Sequence, residues 1–247
     1  MRNTSPLVFL AALWCLLVNH AILATEAPDL SVLEGIQIDA KGGRLTISGD
    51  ICLDDGILEY LAVVEGGKEY ESAIALKCKP AGLHAALLLI GAQPGELDPR
   101  YREDAPPLPE EVQPPKQPGT PVRLTVRWQD TEGDHEVPAT RLLISRNTGA
   151  SPPSLPWIFT GSYFVRNPET GQELYMAELH GTLAAVYYDP SAILNLPAAQ
   201  GNPYRGEKTG FALNTDLVPP RGTPVLVDFE VARDWKPPAE KPPEQAQ

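Results

Sequence analysis

From Arg44 onward, apolar and polar positions alternate. Leu45, Ile47, Ile51 and Leu53 are interleaved with Thr46, Ser48 and Asp50, the period of a strand with one buried face. Asp54-Asp55-Gly56 reads as a turn and residues 57–65 as a second strand. Gly66-Gly67 reads as a two-residue hairpin tip and residues 68–78 as a third strand, so the pattern predicts a three-stranded antiparallel meander. The alternation then stops. Residues 81–90 are apolar all round except at Gly82 and His84. Pro80 and Gly91 punctuate that run as a helix start and stop, and a helix apolar on every face is expected to be buried.

Further strands are predicted at residues 121–129, 141–145, 157–166 with a break at Gly161-Ser162, 173–179, 182–188, around Phe211, and at 225–231. Residues 130–136 read as a polar turn and 190–196 as a helical turn. Two stretches repeat. Gly119-Thr120-Pro121-Val122 is echoed by Gly222-Thr223-Pro224-Val225, and Gly67-Lys68-Glu69 by Gly171-Gln172-Glu173. The echo predicts two related β-β-α-β lobes within one domain over residues 35–234. Antiparallel sheets with a few short buried helices make the class α+β, leaning β.

Two segments differ in kind. Residues 98–119 and the tail 235–247 are rich in proline and charge, too poor in apolar surface to order themselves, and read as a proline-rich loop and a disordered tail. At the other end, Arg2 is the only charged residue before Glu26, and residues 7–18 are almost all apolar. That run is shorter than the ~20 residues a spanning helix needs. With the small Ala24 at a cleavage position, it reads as a secretory signal over residues 1–24, an uncleaved anchor being the alternative. Residues 25–34 form a short amino-terminal segment of the mature chain. The expected destination is extracytoplasmic, in the periplasm or secreted, with no membrane span after cleavage.

The formal net charge of −12 argues against nucleic acid, which selects basic patches, and against an anionic membrane surface. Cys52 and Cys78 remain after signal removal. In an oxidising compartment they read most simply as one structural disulfide, with free thiols as the alternative. No CxxC or nearby His pair supports a metal there, and no cofactor is expected.

Several motifs, taken in order, carry a family resemblance. Gly67-Lys68-Glu69-Tyr70-Glu71-Ser72, Lys79-Pro80 and residues 83–91 are followed by Gly119-Thr120-Pro121-Val122 before a strand with Trp128. Trp157-Ile158-Phe159-Thr160-Gly161-Ser162 and Tyr175-Met176-Ala177 with Gly181 come later. The chain resembles the YdjY-domain family over nearly the whole mature sequence. That resemblance implies an exported bacterial protein and supplies no activity. Some relatives are labelled ferredoxin-like for clustered cysteines; this chain has no such cluster, so an iron–sulfur role does not carry over. Relatives often have His where Tyr70 stands, so a metal or catalytic role at that position does not transfer.

Candidate chemistry is sparse. In the hairpin reading Glu71 pairs opposite Ala62 and shares a face with Tyr60 and Val64. Glu71, with Glu69 beside it and His84 in the following helix, is then a candidate ligand or proton-transfer site. The alternative is a solvated carboxylate and a core histidine. Glu178 and His180, read on a strand, point the same way and are weaker metal candidates. Gly161-Ser162 lacks the second glycine of a nucleophile elbow, and no phosphate-binding glycine loop is present. The sequence favours a non-enzymatic exported module that binds a protein or small-molecule partner. The alternative is a metal-binding protein or hydrolase-like enzyme using a Glu/His site.

Overall fold

The computed structural model describes residues 30–96, 119–197, 203–205 and 209–236. The expected signal, all but the last residue of the proline-rich loop, and the tail beyond residue 236 lie outside the described residues.

A strand not predicted above, β1 (Ile36–Asp39), in which Ile36 and Ile38 alternate with Gln37 and Asp39, leads into β2 (Arg44–Ile51). Along β2 Leu45, Ile47, Gly49 and Ile51 are buried and the residues between them are not, as the period-2 pattern requires. The second predicted strand is broken at Glu59 into β3 (Ile57–Leu58) and β4 (Tyr60–Val64). The third is shorter than predicted, β5 (Ser72–Leu76).

The predicted meander is wrong in its connection. β4 and β5 run parallel, with Tyr60 opposite Ser72 and Val64 opposite Leu76. Gly66-Gly67 is therefore no hairpin tip: it opens a crossover through a 3-10 turn at Glu69–Glu71. Both strands are only five residues long, so a crossover far shorter than the usual dozen residues can span them. The glycines serve this path. Gly66 has φ +78°, and a Cβ on Gly67 would lie 2.9 Å from the Val64 carbonyl oxygen.

The helix α1 (Pro80–Leu89) follows, with Gly91 at φ +89° beyond its end. It is not buried on every face: Leu83, Ala86 and Leu87 are in the core, while Leu88 and Leu89 are exposed. Gly82 admits the preceding 3-10 turn at Leu30–Leu33, since a Cβ there would stand 2.0 Å from the Val32 carbonyl oxygen.

The remaining strands are β6 (Pro121–Asp130), β7 (Gly133–Pro138), β8 (Leu143–Ser145), β9 (Trp157–Phe159) and β10 (Phe164–Arg166). They continue as β11 (Glu173–Tyr175), β12 (Thr182–Ala185), β13 (Leu194–Asn195), β14 (Phe211–Leu213) and β15 (Pro224–Val231). The expected polar turn at 130–136 is mostly β7, whose His135 pairs opposite Trp128 and stacks on it at 4.8 Å. The expected strand over 173–179 ends at Tyr175 and becomes a short helix, α2 (Met176–His180). The expected helical turn at 190–196 contains β13.

Eight strands close on themselves. Their order is β2-β15-β6-β9-β13-β12-β4-β5, and β5 pairs back onto β2. β1 and β7 extend this sheet, β3, β14 and β8 form a small second sheet, and β10 with β11 forms a hairpin. The protein is thus mostly β, as the composition of elements predicted, but built as a closed barrel.

That barrel has an internal two-fold relation. Strands β2, β4, β5 and β6 correspond in chain order to β9, β12, β13 and β15. β2–β5 and β9–β13 are antiparallel, whereas β4–β5 and β12–β13 are parallel. The relation holds bond by bond. Ile51 N donates to Thr223 O at 3.0 Å, and Phe159 N to Thr120 O at 2.9 Å. Cys52 N donates to Ala73 O at 2.9 Å, and Thr160 N to Ile193 O at 3.0 Å. The Gly-Thr-Pro-Val echo therefore marks equivalent positions entering β6 and β15.

The second echo does not. Gly67-Lys68-Glu69 lies in a crossover, and Gly171-Gln172-Glu173 lies at the turn between β10 and β11. Nor are there two lobes: β6 pairs with β9 and β15, and β15 with β2, so the halves interlock. The main core, with Trp157, Phe159, Phe211 and Phe229 fully buried, is drawn from both, as is a smaller cluster of Tyr60, Val63, Ala185 and Ala192.

Candidate functional site

Two crossovers lie against the same pair of strands. One, residues 65–71, joins β4 to β5; its counterpart, residues 186–193, joins β12 to β13, and β4 and β12 are neighbours. Polar side chains from both meet at Tyr60. The Tyr60 hydroxyl donates to Asp189 Oδ2 at 2.7 Å, and Lys68 Nζ donates to that hydroxyl at 3.0 Å. Lys68 also pairs with Glu71 Oε1 at 3.5 Å and lies 4.9 Å from the Tyr60 ring centroid. The Tyr187 ring is tilted 6.3 Å from that of Tyr60, with its hydroxyl 3.5 Å from Glu59.

Three carboxylates here are buried: Glu59, Glu71 and Asp189. Burying an anion is tolerated only with hydrogen-bond donors around it, and Asp189 has them. Besides Tyr60, its Oδ1 accepts from the Ser191 amide at 2.8 Å and the Ser191 hydroxyl at 2.7 Å. Asn195 Oδ1 accepts from the Asp189 amide at 2.7 Å, and Asn195 Nδ2 donates to Thr160 Oγ1 at 2.8 Å. Ser162, the one non-glycine residue with positive φ (59°) among the described residues, donates to the Ser191 carbonyl at 2.7 Å. Burial, then the Asp189 charge, pushes the Tyr60 phenol far above its ordinary range. Burial likewise raises Tyr187. Both phenols stay protonated at working pH. The cluster holds hydrogen bonds ready, and its phenols offer no base.

The residues singled out from sequence do not converge. Glu71 does belong to this cluster, through Lys68 rather than through the predicted register with Ala62. Glu69 closes the turn, its Oε1 accepting from the Gly66 amide at 2.7 Å. His84 has other partners. It lies beyond the far end of β5 from Glu71, its Nδ1 2.7 Å from the Tyr175 hydroxyl and its ring 5.0 Å from Phe159. Burial holds its pKa below the ordinary histidine value. No Glu71–His84 dyad forms.

Glu178 and His180 sit on α2, where residues two apart point to different sides, so the shared strand face is lost. Glu178 instead accepts from the Ala81 amide at the start of α1 at 3.1 Å, one of the amides a helix start leaves open. Among the described residues no three His, Cys, Asp or Glu side chains are grouped to hold a metal.

The disulfide expectation is also corrected: both thiols are free. Cys52 lies beside Ala73, while Lys77, next to Cys78, bonds Ser48. The β2–β5 register thus separates the cysteines by about 16 Å of strand, beyond the ~7 Å limit for Cα atoms joined by a disulfide. Cys52 Sγ donates to the Ser72 carbonyl at 3.1 Å.

Tyr60, Lys68, Tyr187 and Asp189 escaped the sequence reading as site residues. Each is unremarkable in its own segment; only the parallel crossovers bring residues more than a hundred positions apart into contact.

The fold and the cluster together define a closed, internally two-fold β barrel with a part-buried Tyr-Lys-carboxylate cluster on its strand crossovers. The chain belongs to the YdjY domain family, whose model matches residues 36–230. No curated protein and no solved structure matches it. Among the described residues no helix is long and apolar enough to cross a membrane.

Proposed function

We propose that this protein is a non-enzymatic binding module acting outside the cytoplasm, with the crossover cluster around Tyr60 as its ligand seat. One observation carries the reading: polar side chains from both halves converge on the Tyr60 hydroxyl, already oriented by hydrogen bonds. Groups held this way cost little to order when a ligand arrives. The charged members are matched to neighbours, and the two phenols hold their protons, which suits recognition better than proton transfer. Export rests on the amino-terminal signal read from residues 1–24.

The test is a thermal-shift panel of sugars, amino acids, carboxylates and amines on the purified mature chain, with elemental analysis alongside. The reading expects a saturable shift that Lys68→Met abolishes, without stoichiometric metal. Stoichiometric zinc or iron, or turnover of a panel compound, contradicts it.

A further inference from the structure

A cleft lies apart from the crossovers, on the outer face of the barrel wall where β2, β15, β6 and β7 run side by side. Alternation decides its lining. Ile47, Val126, Val227 and Phe229 face the core, so the residues between them face outward. The cleft encloses about 250 Å³, and every side chain lining it is polar or charged. That volume suits a small molecule rather than a chain of sugars or residues.

The floor is Asp228, which is buried. Its Oδ1 accepts from Thr46 Oγ1 at 2.5 Å and from Arg127 Nη2 at 3.0 Å, and its Oδ2 accepts from Arg127 Nε at 2.7 Å. This side-on fork matches both charges and leaves Arg127 Nη1, with its two N–H groups, unbonded among the described residues. The Thr125 hydroxyl, in the same lining, has no side-chain hydrogen bond among them either. On the neighbouring strand Glu136 stands opposite Arg127. It lines the cleft, is exposed, and accepts no hydrogen bond among the described residues.

Open donors and an open acceptor therefore face one space from strands ~4.8 Å apart. A carboxylate alone would bond Arg127 but lie against Glu136. An amine alone would bond Glu136 but lie against a guanidinium. A molecule with both groups on one carbon answers both.

We propose that this cleft binds a free α-amino acid. Its carboxylate accepts from Arg127 Nη1 and the Thr125 hydroxyl, and its ammonium donates to Glu136. The Arg44–Glu230 pair, 3.1 Å apart, also lines the space and favours a short polar side chain over an apolar one. The site is separate from the Tyr60 cluster and does not rest on it.

Titration calorimetry of residues 25–247 against glycine, serine, asparagine and glutamine tests this. At least one is expected to bind saturably, and its N-acetyl and carboxamide forms, each lacking one charge, at least tenfold more weakly. Glu136→Gln and Thr125→Val should each weaken it about tenfold, a loss of ~1.4 kcal/mol. The unfolding midpoint should stay unchanged, since neither side chain has a bond to lose. No binding by any of the four overturns the proposal, as does binding indifferent to both variants or to N-acetylation. Binding lost in Lys68→Met but kept in Glu136→Gln moves the amino acid to the crossover cluster and overturns this site alone.

Discussion

Tyr60 and Asp189 lie 129 positions apart in sequence and 2.7 Å apart in space, the phenol of one half donating to the carboxylate of the other. Each is set on its own side of the two-fold relation, Tyr60 at the start of β4 and Asp189 in the crossover leaving β12. Their bond ties the two halves together where the candidate seat lies.

The thiols give a direct check on the register. Burial pushes Cys52 and Cys78 each up to about 12, so neither is thiolate at neutral pH, and thiolate is the reactive form. Residues 25–247, isolated without reductant, should show little reaction with a thiol reagent at pH 8 while folded. Two thiols should react after denaturation. A count of zero after denaturation would restore the disulfide and undo the β2–β5 pairing.

His84 predicts a pH dependence with a definite sign. Burial lowers its pKa in the folded chain, so between that value and the unfolded value near 6.5 the unfolded state binds more protons. Stability from this group is complete above about pH 6.5 and is lost as pH falls through the folded pKa. Urea midpoints from pH 7.5 to 5 should fall for the wild type and fall less steeply for His84→Asn. Parallel slopes for the two would show that His84 does not carry the effect.

Gly82 sets two effects against each other. Alanine in a helix interior gains ~1 kcal/mol over glycine. Here its Cβ would stand 2.0 Å from the Val32 carbonyl oxygen, a backbone atom of the turn packed on α1. The clash should win, and Gly82→Ala should lower stability by ~1–3 kcal/mol in chemical denaturation. A stabilised variant would mean that the Leu30–Leu33 turn is not seated on the helix.

Local pattern reached far into this fold. The alternation of β2 and β6, the break at Gly161-Ser162 and the α1 boundaries are legible because each depends on side chains within a few residues. Strand sense is not local. Gly66-Gly67 satisfies a hairpin and a crossover equally well, and only the pairing of β5 with both β4 and β2 decides between them. The same ambiguity hid the site: Glu71 was visible as an unusual acid, but its partners depend on that decision. Glu178 and His180 failed for a related reason, since a five-residue helix gives too short a period to distinguish from a strand. The Gly-Thr-Pro-Val echo was a sound signal of duplication whose geometry, interlocked strands rather than paired lobes, no spacing could disclose.

The central claim is that the two crossovers meet at Tyr60 and form one coupled polar unit. A double-mutant cycle on folding stability with Tyr60→Phe, Asp189→Asn and the double variant measures that coupling directly. Each single change should cost ~1–3 kcal/mol, as for a buried group deprived of its partner. The double should cost less than their sum by at least ~0.5 kcal/mol. Additive losses, with no coupling beyond error, would contradict the contact on which the proposed seat is built.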